Sequence, residues 1–190
     1  MVKVFLLDNY DSFTYNLAAL LKSDSQVELT ISTPDKTEIK DLSAFDRIVF
    51  SPGPGLPSEF PIMHEIMDVY KDSKSILGVC LGHQMIGSYF GAKLANMGYV
   101  NHGWIKKLHI LNSDCPIYRH IPEPIMVGVY HSWHLSKSEF PDSLEITAES
   151  HDGIIMSIQH KHYDIQAVQF HPESFMTQYG KRMIDNWLCK

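Results

Sequence analysis

A cysteine held between two glycines, in the run "SILGVCLGHQ" at residues 75–84, is the first place in this sequence where residue type and spacing could do chemistry. Gly78 and Gly82 stand two residues to either side of Cys80; an apolar run precedes it and a run with helical character follows. A G-x-C-x-G pattern at a strand-to-helix turn is that of a nucleophile elbow. The nucleophile's backbone is strained there, and its neighbours approach so closely that small residues are needed. Sulfur at a helix N-terminus also meets the positive end of the helix dipole, which favours the thiolate. Taken alone, the pentapeptide is equally compatible with a buried structural cysteine at an ordinary turn.

A thiolate in acyl transfer needs a base, and with eleven histidines in the chain only context can choose one. "QAVQFHPES", residues 166–174, places His171 after an apolar strand pattern and Glu173 two residues further on. Pro172 favours an extended or turn conformation at His171, and in extended chain an i, i+2 pair faces the same side. Glu173 can then hold the imidazole in the tautomer that leaves its other nitrogen for Cys80. By itself "HPE" also reads as a surface turn with an incidental ion pair.

A third stretch, "FSPGPGLPSEFP" at residues 50–61, packs prolines around Gly53 and Gly55 after the strand pattern "RIVF". This is a stiff loop at a strand's C-terminal end, where open α/β sheets bind ligands. One glycine N–H there, with the amide of Leu81, would make an oxyanion hole. As a single feature it is also a plain rigid turn.

The elements that must position these groups follow from hydropathy. Strand-length apolar runs "VKVFLL", "VELTI", "RIVF" and "SILGV" alternate with the helical segments "FTYNLAALLK" and "FPIMHEIMDVYK", and Leu81–Phe90 suits a further helix. Such alternation predicts an α/β fold: one open, mostly parallel twisted sheet flanked by helices. From "GYVNHG" onward the pieces are short and β-prone, which predicts additional antiparallel strands in the second half. "GKRMIDNWLCK" closes the chain as a helix with Met183, Ile184, Trp187 and Leu188 on one face.

The 190 residues, 44% hydrophobic and 20% charged, suffice for one substantial core, so a single domain over 1–190 is expected. A net charge of −6 with scattered Lys and Arg gives no cationic footprint for nucleic acid or an anionic membrane. "VKVFLL" is too short for a signal-peptide core or a membrane span, and three cysteines without a CxxC argue against a disulfide framework. A cytoplasmic protein whose ligand is a small molecule or another protein is expected. His131 with His134, and His160 with His162, lack an accompanying CxxC or acidic ligand set, so neither a metal site nor a cofactor is expected.

Taken together, "PGPG", "GVCLGHQ" and "QFHPES" resemble the class I (triad-type) glutamine amidotransferases. "LLDNYDSFTYNL" at 6–17, "YHS" at 130–132 and "ITAESHDGIIMSIQH" at 146–160 look like the glutaminase component (component II) of anthranilate synthase and of aminodeoxychorismate synthase. The resemblance spans essentially the whole chain and implies a flavodoxin-like amidotransferase fold. It makes Cys80 the nucleophile, His171 the general base and acid, and Glu173 its orienting carboxylate. It also maps contacts to L-glutamine onto Gly53, Pro54, Gly55, Leu81, Gln84, Ser132 and Trp133.

By the same resemblance, ammonia released from glutamine passes to a separate chorismate-binding synthase chain (component I) in a heteromeric complex. Anthranilate, for tryptophan, is the leading product, and aminodeoxychorismate, for folate, is the alternative. Two departures stand out: Trp104 in "NHGW" replaces a lysine common in the family near the synthase, and Trp133 replaces a smaller aliphatic residue. A cysteine hydrolase of peptides or γ-glutamyl conjugates would use the same elbow, but Gln84, "YHS" and "PGPG" together suit free glutamine better. A non-catalytic regulatory module would not need all three triad positions filled.

Overall fold

The computed structural model describes residues 1–189. Its strands are β1 (Val2–Leu7), β2 (Val27–Ser32), β3 (Arg47–Phe50), β4 (Ser75–Val79), β5 (Leu94–Ile110), β6 (Ile125–Leu135), β7 (Leu144–Ser150), β8 (Ile155–His160) and β9 (Ile165–Val168). The α-helices are α1 (Thr14–Lys22), α2 (Pro61–Tyr70), α3 (Leu81–Tyr89) and α4 (Gly180–Leu188). All described strands join one sheet in the order β2-β1-β3-β4-β9-β8-β7-β5-β6. From β2 to β9 neighbours are parallel, and from β9 to β6 they are antiparallel. The parallel order 2-1-3-4 followed by the last strand is that of flavodoxin-like folds, as the resemblance implied.

The continuous apolar runs have a physical cause: the parallel strands are covered on both faces. Val4, Leu6, Val49, Leu77 and Val79 point to the side packed by Leu17 and Leu21 of α1 and Met183, Ile184 and Trp187 of α4. Phe5, Leu7, Ile48, Phe50 and Ile76 point to the side packed by Met63, Ile66 and Met67 of α2 and Met85 and Ile86 of α3. The period-2 alternation of side chains along each strand therefore feeds two cores. Among the described residues no helix is long and apolar enough to cross a membrane.

In one respect the second half differs from the short pieces expected. "LANMGYVNHGWIKKLHI" is a single 17-residue strand, β5, whose pairing with β6 shifts register between Asn96 and Asn101 and again between His102 and Trp104. Gly98 (φ 74°) and Gly103 (φ 73°) sit at these shifts. Glycine takes that backbone region at little cost, so the strand bends and continues where the sequence looks interrupted.

Candidate active site

Cys80 occupies the junction between β4 and α3 with φ 54° and ψ −98°, a region few non-glycine residues enter. The flanking glycines are there for clearance. A Cβ on Gly78 would lie 2.6 Å from the backbone of Gly82, and a Cβ on Gly82 would lie 2.6 Å from the carbonyl oxygen of Phe50 in β3. The nucleophile elbow expected from G-x-C-x-G is thus the local geometry. Leu81 begins α3, so its N–H is one of those a helix leaves without an intrahelical acceptor.

His171 and Glu173 meet as the spacing suggests, though across a turn. The Ser174 N–H donates to the His171 carbonyl at 3.1 Å, closing a β-turn with Pro172 at its second position, where proline is favoured. Within it His171 Nδ1 lies 2.6 Å from Glu173 Oε1, with the two side chains 2% and 0% exposed. The Thr177 hydroxyl donates to the His171 carbonyl, and the His171 N–H donates to the carbonyl of Gly128 in β6, so the turn is pinned from two sides. Burial alone would lower the proton affinity of His171, but the Cys80 sulfur and then the Glu173 carboxylate outweigh it and hold the imidazole well above its ordinary value. With Nδ1 on Glu173, Nε2 is the ring nitrogen left toward Cys80.

The loop after β3 runs from Ser51 to Leu56 and is tied to the loop after β1: Asn9 N–H donates to Ser51 Oγ at 2.8 Å, and Asn9 Nδ2 to the Ser51 carbonyl at 3.0 Å. A Cβ on Gly53 would meet Leu81 Cδ2 at 2.6 Å and Asn9 Cβ at 2.8 Å, so the bare backbone of Gly53 abuts the start of α3. Gly55, at φ 74°, turns the chain toward Glu59, whose Oε1 accepts from the Leu56 N–H at 2.7 Å.

Opposite this loop, Gln84 Nε2 donates to the Trp133 carbonyl at 2.8 Å and to Gln169 Oε1 at 3.2 Å. His131 Nδ1 lies 2.9 Å from the same Trp133 carbonyl, so its Nδ1 carries the proton. Burial pulls His131 down to about 4. His83 sits behind these groups, fully buried beside Gln169, and burial pulls it down to about 3. Both imidazoles are neutral near pH 7.

One cavity of about 540 Å³ gathers these groups. Gly53, Pro54, Gly55, Cys80, Leu81, Gln84, Ser132, Trp133 and His171 all line it, and Glu173 stands behind His171. Its walls come from the C-terminal ends of parallel strands β1, β3, β4 and β9, with β5 and β6 closing the far side, which is where open α/β sheets bind ligands. Tyr10, Asp11, Ser12 and Phe13 also line it, residues of the "DNYDSF" stretch after β1 for which the sequence suggests no individual role. The same holds for His102, Tyr130 and His131 in the lining and for Gln169 beneath it. A polar residue inside the apolar run "QAVQF" is the available signal for Gln169.

Residues 5–190 match the family model "Glutamine amidotransferase class-I". The chain belongs to the class I glutamine amidotransferases. Among relatives of this class I amidotransferase, the anthranilate synthase component 2 of Cyanophora paradoxa is 42% identical, over 97% of this chain and 97% of the relative. The anthranilate synthase component 2 of Methanothermobacter thermautotrophicus is 37% identical, over 99% of each. A crystal structure from Thermoplasma acidophilum, described as that of a GMP synthase component, superposes with a TM-score of 0.88 at 27% identity, covering 100% of this amidotransferase and 93% of that chain.

Proposed function

We propose that this amidotransferase is the glutaminase component of anthranilate synthase, releasing ammonia from L-glutamine for a chorismate-using synthase partner. The observation that carries the reaction is the gathering of Cys80, the His171–Glu173 pair and the Gly53–Gly55 loop around one cavity. At about 540 Å³ that cavity lies within the range of small-molecule sites, roughly 300–1,000 Å³. The relatives' names carry the pathway.

The reaction follows from the groups. The Cys80 thiolate attacks the side-chain carboxamide carbon, forming a C–S bond and pushing the carbonyl electrons onto oxygen, where the N–H groups of Leu81 and Gly53 receive them. His171 Nε2 gives its proton to the nitrogen, the C–N bond breaks, and ammonia leaves a γ-glutamyl thioester on Cys80. Water then adds, His171 takes its proton, and the C–S bond breaks to give glutamate and the thiolate. Glu173 holds Nδ1 throughout.

Substrate selection uses the remaining lining. Both amide hydrogens of Gln84 are engaged by Trp133 and Gln169, so its carbonyl oxygen is the group left to accept from the α-ammonium of glutamine. Trp133 serves through its carbonyl, which accepts from both Gln84 and His131, so its large side chain leaves that role intact. Ser132 and Pro54 complete the walls.

Ammonia set free in water is protonated and lost, so glutamine turnover should depend on the synthase closing the mouth. The odd cysteine count supports a reducing, cytoplasmic setting for the complex. The test is to mix the chain with each candidate synthase, chorismate and glutamine, and identify the aromatic product. Anthranilate supports the assignment; aminodeoxychorismate alone moves the chain to the folate branch.

A further inference from the structure

We propose that Gln169 is a further catalytic residue, donating a side-chain N–H to the Cys80 sulfur and thereby favouring its thiolate. This rests on the reading of Cys80 as nucleophile. Gln169 Nε2 lies 3.6 Å from Cys80 Sγ, and its Oε1 accepts from Gln84 Nε2 at 3.2 Å. The side chain is completely buried, and its backbone N–H donates to the Met156 carbonyl of β8 at 2.8 Å, so it cannot drift from the sulfur.

Placing a primary amide in a dry interior costs free energy unless its groups are bonded. Gln169 meets that condition with the nucleophile on one side and the substrate-facing Gln84 on the other. The chain alternation adds a second support: Phe170 points into the apolar core, while Gln169 and His171 on either side of it both reach Cys80. A thiol is a weak acceptor and a thiolate a strong one, so an N–H aimed at sulfur favours the charged form. The orientation that serves Cys80 is also the one that leaves Gln169 Oε1 for Gln84 Nε2, coupling the nucleophile to the substrate-recognising side chain.

Other titratable groups surround this cavity. His171, backed by Glu173, comes from the turn after β9, Asp11 and Tyr10 from the loop after β1, and His102 and His131 from β5 and β6. His83 lies on Cys80's own helix. All of them are retained in the variants that test the proposal.

The rate of Cys80 alkylation by iodoacetamide is measured against pH, following the Cys80 peptide by mass spectrometry so that Cys115 and Cys189 do not contribute. Gln169→Leu removes the donor, and Gln169→Glu removes it while keeping an acceptor for Gln84. Both should move the alkylation midpoint upward by about one pH unit; unchanged midpoints in folded variants overturn the assignment. The unmutated chain gives an independent reading by NMR, in which the Gln169 side-chain amide protons should shift with pH along the Cys80 midpoint. Resonances that stay still through that titration also overturn it. The glutaminase reading fails by a different observation, glutamine hydrolysis surviving in Cys80→Ser, whereas the alkylation profile is read on chains that keep Cys80.

Discussion

His171 Nδ1 lies 2.6 Å from Glu173 Oε1 inside a turn that keeps water from both side chains. The contact sets the tautomer by holding Nδ1, and it helps raise the proton affinity of a ring that burial would otherwise lower. Glu173→Gln keeps the shape and removes the charge. The His171 titration followed by NMR should move to lower pH, and kcat for glutamine should fall by about 10²- to 10⁴-fold. A titration and a kcat left unchanged would remove Glu173 from the mechanism.

On the proposed mechanism, replacing Cys80 should separate the two half-reactions. In complex with the proposed synthase partner, Cys80→Ser should lose glutamine-dependent product formation while ammonia-dependent formation continues at the rate of the unmutated complex. Loss of both, measured in parallel assays, would contradict the division of labour between the chains.

The elbow depends on an empty space. A Cβ on residue 82 would stand 2.6 Å from the Phe50 carbonyl oxygen, which belongs to the sheet and cannot swing aside. Gly82→Ala should therefore cost about 1–3 kcal/mol of stability in denaturant unfolding. No measurable loss would mean that the close approach of α3 to β3 is not tight.

Buried neutral histidines make stability depend on acid. His83 is held down to about 3 and His131 to about 4, against an ordinary 6.5. Between those values and 6.5 the unfolded chain binds protons that the folded chain does not. The stability they contribute is therefore complete above about pH 6.5 and lost as pH falls, by about 1.4 kcal/mol per pH unit for each group. His83→Leu should reduce their joint contribution to the slope between about pH 6 and about pH 4 by about half. An unaltered slope in urea titrations would show that His83 is protonated in the fold.

Much of this site is legible in the sequence because its pieces are local. Gly78, Cys80 and Gly82 specify their turn within five residues, and His171, Pro172 and Glu173 theirs within three. The parallel strands are legible for a related reason: burial on both faces leaves uninterrupted apolar runs such as Ile48–Phe50 and Ile76–Val79. What escapes depends on distance in sequence. Nothing near Gln169 announces that Cys80, 89 residues earlier, supplies the acceptor for its amide. His83 and His131 read as ordinary histidines until the sheet brings them behind one cavity. The length of β5 is hidden by Gly98 and Gly103, which mark turns in most sequences and here mark bends in a continuing strand.

The central claim is a covalent one, that glutamine is opened by Cys80. The direct measurement is to mix the complex with isotopically labelled glutamine, quench in acid within the first turnovers, and weigh the intact chain and its Cys80 peptide by mass spectrometry. The expected result is one γ-glutamyl group on Cys80, absent from Cys80→Ser. Steady glutamine hydrolysis with no adduct, or an adduct that persists in Cys80→Ser, would contradict it.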